Sequence, residues 1–465
     1  MVIKSDMIDR QLRPIGEAIR FVWPSFSERK FKLCNFILKN FGRGADVTPW
    51  KIKCEQIKIP RADGSELRLC VYSPRKREGE MPGLLWIHGG GYAMGIPEQD
   101  HGFVRSFVGA TGCVMVVPDY KKSLYAPFPA ALEDCYLALL WLKENGKKYG
   151  MRRDKIFVGG NSAGGGMTAA LTLYARDRGE VNIAFQMPLY PMLDDRPTET
   201  SKNNDAPVWN TKSNIAAWKL YLGGDYGTDR VSKYAAPARE TDFSGLPPTL
   251  TFIGSIDPFL AETKSYVEAL RAAGVAVSIG HTNADGDTCY AALEAGADHF
   301  THTFNAMSPL THRGVGAAGA ALASDAYAEL IADGFHVDVR LFPLMRRAKG
   351  ERLVLITDCT RAGGMQDGQY TLGGQPIFVH GVECRLADGT IAGSVLRMND
   401  AVRNYCVHGG TPLYQAVHCA ALTPARSIAM QARKGSLEAG KDADILLIDK
   451  DVRVHAVWTD GQRRL

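Results

Sequence analysis

The sequence predicts an α/β protein made of two units, and three observations support this. The chain has 465 residues, whereas one hydrophobic core usually stops growing near roughly 250 to 300 residues. Before about Gly274, apolar strands run into glycine-rich turns that are followed by helices. After Val275, short strands end in histidine or aspartate and alternate with helices. Both patterns are typical of parallel sheets, which gather their functional groups at the strand ends.

The composition is ordinary for a globular protein, with 45% hydrophobic and 23% charged residues. A net charge of +5 without a dense cluster of Lys and Arg argues against a nucleic-acid partner. No segment offers the roughly 18 apolar residues of a membrane span, and the first residues lack the apolar region of a secretory signal. The ten cysteines form no CxxC pair, which favours reduced thiols. We therefore expect a cytoplasmic protein that acts on small molecules, without a membrane partner, and leave a homo-oligomer open.

The first half predicts a series of strands and helices. A hairpin is expected over 53–72, strands over 83–87, 113–117 and 155–158, and helices over 130–144 and 167–175. The strand 83–87 ends in His88-Gly89-Gly90-Gly91. A glycine cluster directly after a buried strand lets the backbone approach a ligand closely and leaves amide groups free to bind an oxyanion.

A serine lies at the turn between the strand 155–158 and the next helix, in the pattern Gly160-x-Ser162-x-Gly164. This is the nucleophile elbow, in which small neighbours permit a tight turn that exposes the hydroxyl. The alternative is a glycine-rich helix start with a solvated serine, and the upstream glycine cluster favours the elbow. Asp257, at the end of a late apolar strand expected over 250–257, is the candidate acid of a triad. Its alternative role is to cap a helix over 261–273.

These motifs together resemble the hormone-sensitive-lipase-like branch of the α/β-hydrolases, over about 47–273. HGGGYAMG, GGNSAGGG, LYPMLDDR and GSIDPF occur in the order typical of that family. The resemblance implies Ser162 as the nucleophile, Asp257 as the acid that orients a histidine, and an oxyanion hole formed by the amides of Gly89, Gly90 and Ala163. It also implies short acyl esters as substrates, no cofactor, and a cap made of 1–46 and 195–223. The pattern departs where the triad histidine should follow Asp257, because the next histidine, His281, has unlike neighbours.

The second half predicts strands over 276–280, 298–301, 329–333 and 353–357. His281, His302, His336 and Asp358 follow these strands in turn. Such an arrangement is typical of a parallel α/β barrel, whose active site lies at the carboxyl ends of its strands. Two histidines on neighbouring strand ends can bind one cation, and an aspartate beyond them can act as a base. From spacing alone, a structural role for the two histidines carries equal weight.

The surrounding residues resemble the N-acetylglucosamine-6-phosphate deacetylases of the amidohydrolase superfamily, over about 274–465. The motifs are GHTNA from Gly280, HFTHTFNAMS from His299, ADGFH from Ala332 and KGSLEAGKDAD from Lys434. The resemblance implies that His281 and His302 bind a divalent metal, zinc or iron, and that Asp358 is the catalytic acid/base. It implies that the sugar and its phosphate contact Asn305, Ala306, Arg313 and His336. The implied reaction removes acetate from N-acetylglucosamine 6-phosphate. The glutamate ligand of that family, in a Glu-Gly-Pro context, is missing upstream of His281.

The predicted fold is therefore a truncated α/β-hydrolase sheet joined to a partial (β/α) amidohydrolase barrel with a small C-terminal β-sandwich portion. The expected boundaries are a helical cap segment over 1–46, a hydrolase domain without its last strand and histidine loop over 47–274, and the deacetylase half-barrel with sandwich strands over 275–465. Three functional hypotheses stay open: a fusion of an esterase part and a deacetylase part, a short-chain esterase alone, or a chimeric chain without robust activity.

Overall fold

The structure is a computed structural model that describes residues 2–8, 10–42, 47–76, 80–372 and 375–465, without the side chains at 110, 153 and 154. The chain divides into two compact units, Met1–Ala273 and Gly274–Leu465, called the N-terminal unit and the C-terminal unit below. None of the helices in the described ranges is long and apolar enough to cross a membrane. All ten cysteines are free thiols.

The N-terminal unit is built on a six-stranded sheet in the order β1-β2-β4-β3-β5-β6. Its strands are β1 (Ile52–Pro60), β2 (Glu66–Pro74), β3 (Met81–Ile87), β4 (Val114–Pro118), β5 (Met151–Asn161) and β6 (Phe185–Leu189). β1 and β2 pair antiparallel with Pro60 opposite Glu66, which confirms the predicted hairpin. β4, β3, β5 and β6 are parallel to one another, so their carboxyl ends lie at one edge of the sheet.

The helices of the N-terminal unit are α1 (Arg13–Val22), α2 (Glu28–Phe41), α3 (His101–Thr111), α4 (Ala130–Asn145), α5 (Ala163–Arg178), α6 (Thr211–Leu222) and α7 (Leu260–Ala272). Helix α3 packs on one face of the sheet, and α4 and α5 pack on the other. Side chains alternate between the faces along β4: Val114 and Val116 join the core beneath α4 and α5, whereas Met115 and Val117 join the core beneath α3. A strand buried on both sides reads as a continuous apolar run, as the sequence has it.

The predicted strand over 250–257 does not form as a regular strand. One parallel bridge links Gln186 of β6 to Thr249, and the Tyr190 amide donates to the Phe252 carbonyl at 2.9 Å. Leu250 and Phe252 are about half exposed. Among the described residues no strand pairs with the outer side of this segment, and without a second neighbour the ladder stays incomplete.

The first residues of the chain pack on the region before and within α6. The Ile3 amide donates to Asp205 at 2.6 Å, the Phe26 amide to Ser213 Oγ at 2.9 Å, and Asn210 Nδ2 to the Pro24 carbonyl at 2.7 Å. Residues 43–46, the end of the predicted cap segment, lie outside the described residues.

The C-terminal unit has a four-stranded parallel sheet in the order β10-β9-β8-β7 and two three-stranded antiparallel sheets. The parallel strands are β7 (Ser278–Ile279), β8 (His299–Phe300), β9 (Tyr327–Ile331) and β10 (Leu353–Ile356). The helices are α8 (Gly286–Glu294), α9 (Gly316–Ala323), α10 (Phe342–Lys349), α11 (Met398–Gly409), α12 (Leu413–Ala420) and α13 (Leu422–Ser427). The antiparallel strands are β11 (Gly368–Leu372), β12 (Gln375–His380), β13 (Glu383–Leu386), β14 (Ile445–Ile448), β15 (Val454–Thr459) and β16 (Gln462–Arg463).

The described strands of the C-terminal unit do not close into a barrel. The core of the unit lies where β9 and β10 pack against α10 and α11, around Leu330, Leu355, Phe342 and Tyr405. The described strands agree with the predicted fold class: a largely parallel α/β sheet is followed by an open four-stranded parallel sheet and two small antiparallel sheets.

Candidate functional sites

Ser162 lies at the sharp turn from β5 into α5, as the sequence predicted. Its backbone has φ 56° and ψ −119°, in the sterically strained region that nucleophiles of this turn adopt. No side chain fits at either flanking glycine. A Cβ on Gly160 would lie 2.4 Å from the Ile87 carbonyl oxygen, and a Cβ on Gly164 would lie 2.0 Å from the same atom. The turn is thus held against β3, and the hydroxyl stands at the amino end of α5, where the helix dipole favours negative charge.

The glycine cluster after β3 forms a polar backbone surface beside the serine. A Cβ on Gly89 would lie 3.3 Å from the Ser162 Cβ. The Gly89 carbonyl accepts hydrogen bonds from His88 Nδ1 at 2.8 Å and Gln99 Nε2 at 3.2 Å. Because the peptide bond is planar and trans, the Gly90 N–H points the opposite way from this carbonyl. Within the described residues, the amides of Gly89, Gly90 and Ala163 donate no hydrogen bond, so they remain available to a ligand.

Asp257 is held by the Phe259 amide, which donates to its Oδ1 at 2.9 Å. Burial raises the pKa of this carboxyl to about 6. The N-terminal unit contains two histidines, and both are engaged elsewhere. His88 is fully buried, which lowers its pKa to about 3, and it stacks on Tyr120; His101 contacts the Tyr72 hydroxyl at 3.1 Å. Within the described part of the unit, no imidazole bonds to Ser162 or Asp257.

A buried carboxyl next to the elbow was not anticipated from the sequence. Asp100 Oδ2 accepts from Trp86 Nε1 and from Asn161 Nδ2, both at 2.7 Å. Burial raises the pKa of Asp100 to about 6, against the effect of these two donors. Since Asn161 directly precedes Ser162, this pair fixes the residue that leads into the turn. An aspartate shortly after a glycine-rich turn was the available signal, but nothing in the spacing links it to Asn161.

In the C-terminal unit, the structure brings together the two histidines predicted to bind metal. His281 Nε2 and His302 Nε2 lie 2.9 Å apart, and the rings meet edge to face. His281 follows the last residue of β7 by two positions, and His302 follows that of β8 by two positions. The neighbouring parallel strands therefore present equivalent positions to one another at their carboxyl ends.

The backbone at these strand ends is strained. His281, His302 and Asp358 have φ values of 47°, 32° and 47°, and Phe304 and Ala306 are also left-handed. Asp358 follows β10 by two residues, so three of the four parallel strands end in the same local conformation. Non-glycine residues in this region cost of order 1 to 3 kcal/mol each and cluster at functional sites.

The other predicted contacts of the sugar phosphate are less well gathered. Asn305 Nδ2 donates to the His302 carbonyl at 3.3 Å, which places it beside the histidine pair. The His336 side chain is buried, with its Nδ1 2.6 Å from Asp333 Oδ2, and its Nε2 has no partner among the described atoms. Arg313 is exposed, and among the described residues it makes no hydrogen bond or ion pair with His281 or His302. Ala306 is exposed as well.

One carboxylate near the histidines escaped the sequence analysis. Glu329 lies within β9, and its Oε2 accepts from the His302 amide at 3.1 Å. Burial raises its pKa, opposed by His302 and His299. The available signal was a single glutamate inside the apolar run Tyr327–Ile331, which alternation would have placed on the face of the sheet opposite Leu330.

The donor set can be compared with what a metal requires. The two converging Nε2 atoms suit a divalent cation such as zinc. Catalytic zinc sites, however, use three protein ligands, and across the described residues no third His, Cys, Asp or Glu completes such a group. The described side chains therefore do not fit a complete catalytic metal site.

The folds and sites define two classes of hydrolase: a serine hydrolase with a strand-to-helix nucleophile turn, and a parallel-sheet hydrolase with histidines at its strand ends. Family comparison agrees with each part. Residues 84–286 match the α/β hydrolase fold family, and residues 260–464 match the amidohydrolase family. The chain belongs to both families, one for each part, and the two matches overlap over 260–286.

Individual relatives support the same division. The chain is 42% identical over 162 residues to an Escherichia coli protein named for N-acetylgalactosamine-6-phosphate deacetylase, covering 35% of this chain and 97% of that protein. It is 40% identical over 190 residues to the N-acetylglucosamine-6-phosphate deacetylase of Bacillus subtilis, covering 40% and 48%. The structure of a bacterial heroin esterase matches with 35% identity and a TM-score of 0.52, covering 56% of this chain and 85% of the esterase.

The chain spans about half the length of the first curated deacetylases it matches. It thus has an esterase-like part and a deacetylase-like part, as the sequence predicted.

Proposed function

We propose that this protein is a slow serine-dependent hydrolase of short acyl esters. The observation that carries the proposal is the Ser162 turn, with its strained backbone and with the unbonded amides of Gly89, Gly90 and Ala163 beside it. Under this proposal Ser162 is the nucleophile and the three amides stabilise the oxyanion. Residues 1–46 and 195–223 serve as the cap, and 47–274 as the hydrolase domain.

The reaction follows from these groups. Ser162 Oγ attacks the acyl carbon, and the oxyanion amides stabilise the charge that develops on the carbonyl oxygen. The alcohol leaves, an acyl-enzyme forms, and water then releases the acid. Without a described imidazole beside Ser162, the serine proton passes to water or buffer. A triad enzyme deprived of a member retains roughly 10³- to 10⁴-fold catalysis over water, so we expect weak but measurable turnover.

The test is hydrolysis of p-nitrophenyl acetate by the full chain and by Ser162→Ala. The matched control is Ser106→Ala, which removes an exposed hydroxyl on α3. We expect Ser162→Ala to fall to the solution background and Ser106→Ala to match the parent. Added imidazole should raise the parent rate, beyond its own background reaction, more than it raises the Ser162→Ala rate. Equal rates for parent and Ser162→Ala would disprove the proposal.

A second candidate is suggested by the 2.9 Å contact between His281 and His302. We propose that residues 275–465 bind an N-acetylated amino sugar phosphate, such as N-acetylglucosamine 6-phosphate, near these histidines. Asn305, Ala306, Arg313 and His336 are the proposed contacts and Asp358 the proposed acid/base. Deacetylation by this part would depend on a divalent metal, zinc or iron. That metal would need at least one protein ligand in addition to the imidazoles of His281 and His302. The free thiols agree with action in the cytoplasm.

The test of the second candidate is acetate release from N-acetylglucosamine 6-phosphate, read together with the metal content of the purified chain. Release that disappears with a chelator and in His302→Ala would support a working deacetylase. Release unaffected by the chelator would contradict it. If neither acetate release nor serine-dependent ester hydrolysis rises above background, the chain is a catalytically impaired chimera.

A further inference from the structure

Helix α2 carries an apolar stripe on its outer face. Leu33, Phe36, Ile37 and Phe41 are all exposed, and Phe36 and Phe41 reach 63% and 80%. The spacing of three and four residues places them on one side of the helix. We call these four residues the α2 stripe.

The α2 stripe is not the side of the helix that packs against the protein, because the opposite side already does so. Phe31 is fully buried and stacks on Phe26 at 5.2 Å. Asn35 donates to the Ala93 carbonyl at 2.8 Å and accepts from the Gly95 amide at 3.1 Å. A contiguous exposed apolar patch that includes two aromatic side chains indicates an interaction site.

Basic residues surround the stripe. Arg29, Lys32 and Lys39 are exposed on the same helix, and Lys32 forms an ion pair with Glu28 at 2.6 Å. Residues 1–42 contain eight Lys or Arg and four Asp or Glu, a net charge of +4, whereas the whole chain carries +5. Most of the net positive charge of the chain therefore belongs to this segment. Helix α1 adds further exposed apolar residues, among them Ile15, Phe21 and Val22.

We propose that the α2 stripe docks on an anionic phospholipid surface, with its aromatic side chains entering the headgroup boundary and its lysines and arginines facing lipid phosphates. An amphipathic helix with apolar residues on one face and cations beside them is the kind of element that lies in a membrane interface. A protein partner would satisfy the apolar face, but the net positive charge favours a negatively charged surface. The sequence led us to expect no membrane partner, and vesicle binding decides between that expectation and this proposal.

The position of the stripe gives the docking a consequence. Asn35 connects α2 directly to the loop that follows the oxyanion glycines, since Ala93 and Gly95 belong to that loop. Docking through α2 therefore brings the oxyanion loop close to the lipid surface. Binding itself needs no catalysis, so it stands whether or not the serine proposal does.

The test is flotation of the full chain with vesicles of mixed phosphatidylcholine and phosphatidylglycerol, compared with phosphatidylcholine alone. We expect binding to the anionic vesicles that weakens with salt. Phe36→Ser combined with Phe41→Ser should lower the partition coefficient at least about tenfold, because two aromatic rings no longer enter the interface. Lys39→Gln should lower it about fivefold.

Matched controls separate docking from general loss of apolar surface or charge. Val407→Ser removes an exposed apolar side chain from α11, and Lys264→Gln removes an exposed charge from α7; both should bind like the parent. Ser162→Ala should also bind like the parent, which separates docking from the esterase proposal. Circular dichroism and the urea midpoint verify that each variant is folded.

Three results would overturn the proposal. The first is equal flotation of the parent and the double phenylalanine variant, and the second is equal binding to neutral and anionic vesicles. The third is a dimer in sedimentation velocity, without lipid, that the double variant dissociates, since the stripe would then be a contact between two copies of the chain.

Discussion

The serine site and the histidine pair show two ways of building a site on a parallel sheet. The serine site is local: β5, the turn at Ser162 and the glycine cluster after β3 supply the nucleophile and the oxyanion amides from neighbouring strands. The histidine site is distributed, because three parallel strands of the C-terminal unit, β7, β8 and β10, each supply one group just after the strand ends. The geometry of the serine site therefore does not depend on distant strands. The histidine site, in contrast, loses one ligand for every strand that is absent.

The largest loss of stability and activity should follow when a side chain is introduced at Gly164, in the serine turn. In Gly164→Val the new side chain would meet the Ile87 carbonyl, 2.0 Å from the position of its Cβ. Backbone cannot give way as a flexible side chain can, so we expect a loss of at least about 3 kcal/mol in unfolding free energy and loss of serine-dependent hydrolysis. Urea unfolding followed by tryptophan fluorescence measures this, since six of the seven tryptophans precede Gly274.

The control for this variant is Gly102→Ala, because a Cβ there meets no atom within 4 Å. Gly102 lies inside α3, where alanine should be neutral or slightly stabilising. A stable and active Gly164→Val protein would show that the turn does not depend on its glycines, and the description of the serine site as a rigid local structure would be wrong.

The affinity for zinc should show that the histidine pair lacks a third ligand. We expect zinc to bind the full chain weakly, and His281→Ala or His302→Ala each to lower the affinity at least about tenfold, since even the loss of a residue behind a ligand costs roughly 10- to 100-fold. Isothermal titration after treatment with a chelator gives the affinities. The matched control is His380→Ala, which removes an exposed histidine of the same unit. Tight stoichiometric zinc in both histidine variants would mean that other residues hold the ion.

Much of the fold and of the two candidate sites could be predicted from the sequence. The hairpin, the nucleophile turn and the histidines at strand ends depend on local backbone requirements, which glycine placement and apolar runs report directly. The segment 250–257 was mispredicted because its apolar residues specify a strand only when neighbours exist on both sides. Glu329 and Asp100 were missed because their contacts, with His302 and with Asn161, join residues far apart in sequence. The apolar stripe on α2 could be described only once Phe31 was seen to be buried on the opposite side.

The buried carboxyl of Asp100, beside the serine turn, makes the stability of the fold depend on pH. Burial raises the pKa of Asp100 from 3.8 to about 6. The folded state then holds a proton that the unfolded chain has released between those values, so the stability contributed by Asp100 is full at low pH and decreases as the pH rises through this window. Asp100→Asn cannot ionise and keeps its acceptor for Trp86 and Asn161.

We therefore expect Asp100→Asn to gain on the parent in unfolding free energy by up to about 3 kcal/mol between acidic and neutral pH, following 1.36 kcal/mol for each unit of pKa. Urea unfolding at pH values on both sides of the window measures the gain. Glu133→Gln, which neutralises an exposed carboxylate on α4, should leave the pH dependence unchanged. A parent and an Asp100→Asn protein with parallel pH profiles would show that this carboxyl is charged and satisfied in the fold.

The smallest effects should come from two helix caps, one in each unit. Asn210 caps α6 by accepting from the Ser213 amide at 3.1 Å, and Asp285 caps α8 by accepting from the Thr288 amide at 2.8 Å. Asn210 is buried and also donates to the Pro24 carbonyl, so Asn210→Ala should cost about 1 to 2 kcal/mol. The exposed Asp285 has no second partner of this kind, and Asp285→Ala should cost less.

The two caps should also respond differently to acid. Hydrogen bonds from Thr288 lower the pKa of Asp285, so its contribution is present above the ordinary aspartate pKa and is lost as the pH falls through the lowered value. The Asn210 amide does not titrate and keeps its cap. Hydrogen exchange of the first turns of α6 and α8, with each variant compared to the parent at the same pH, separates these cases. If Asp285→Ala loosened α8 equally at acidic and neutral pH, the cap would not depend on the charge of the carboxylate.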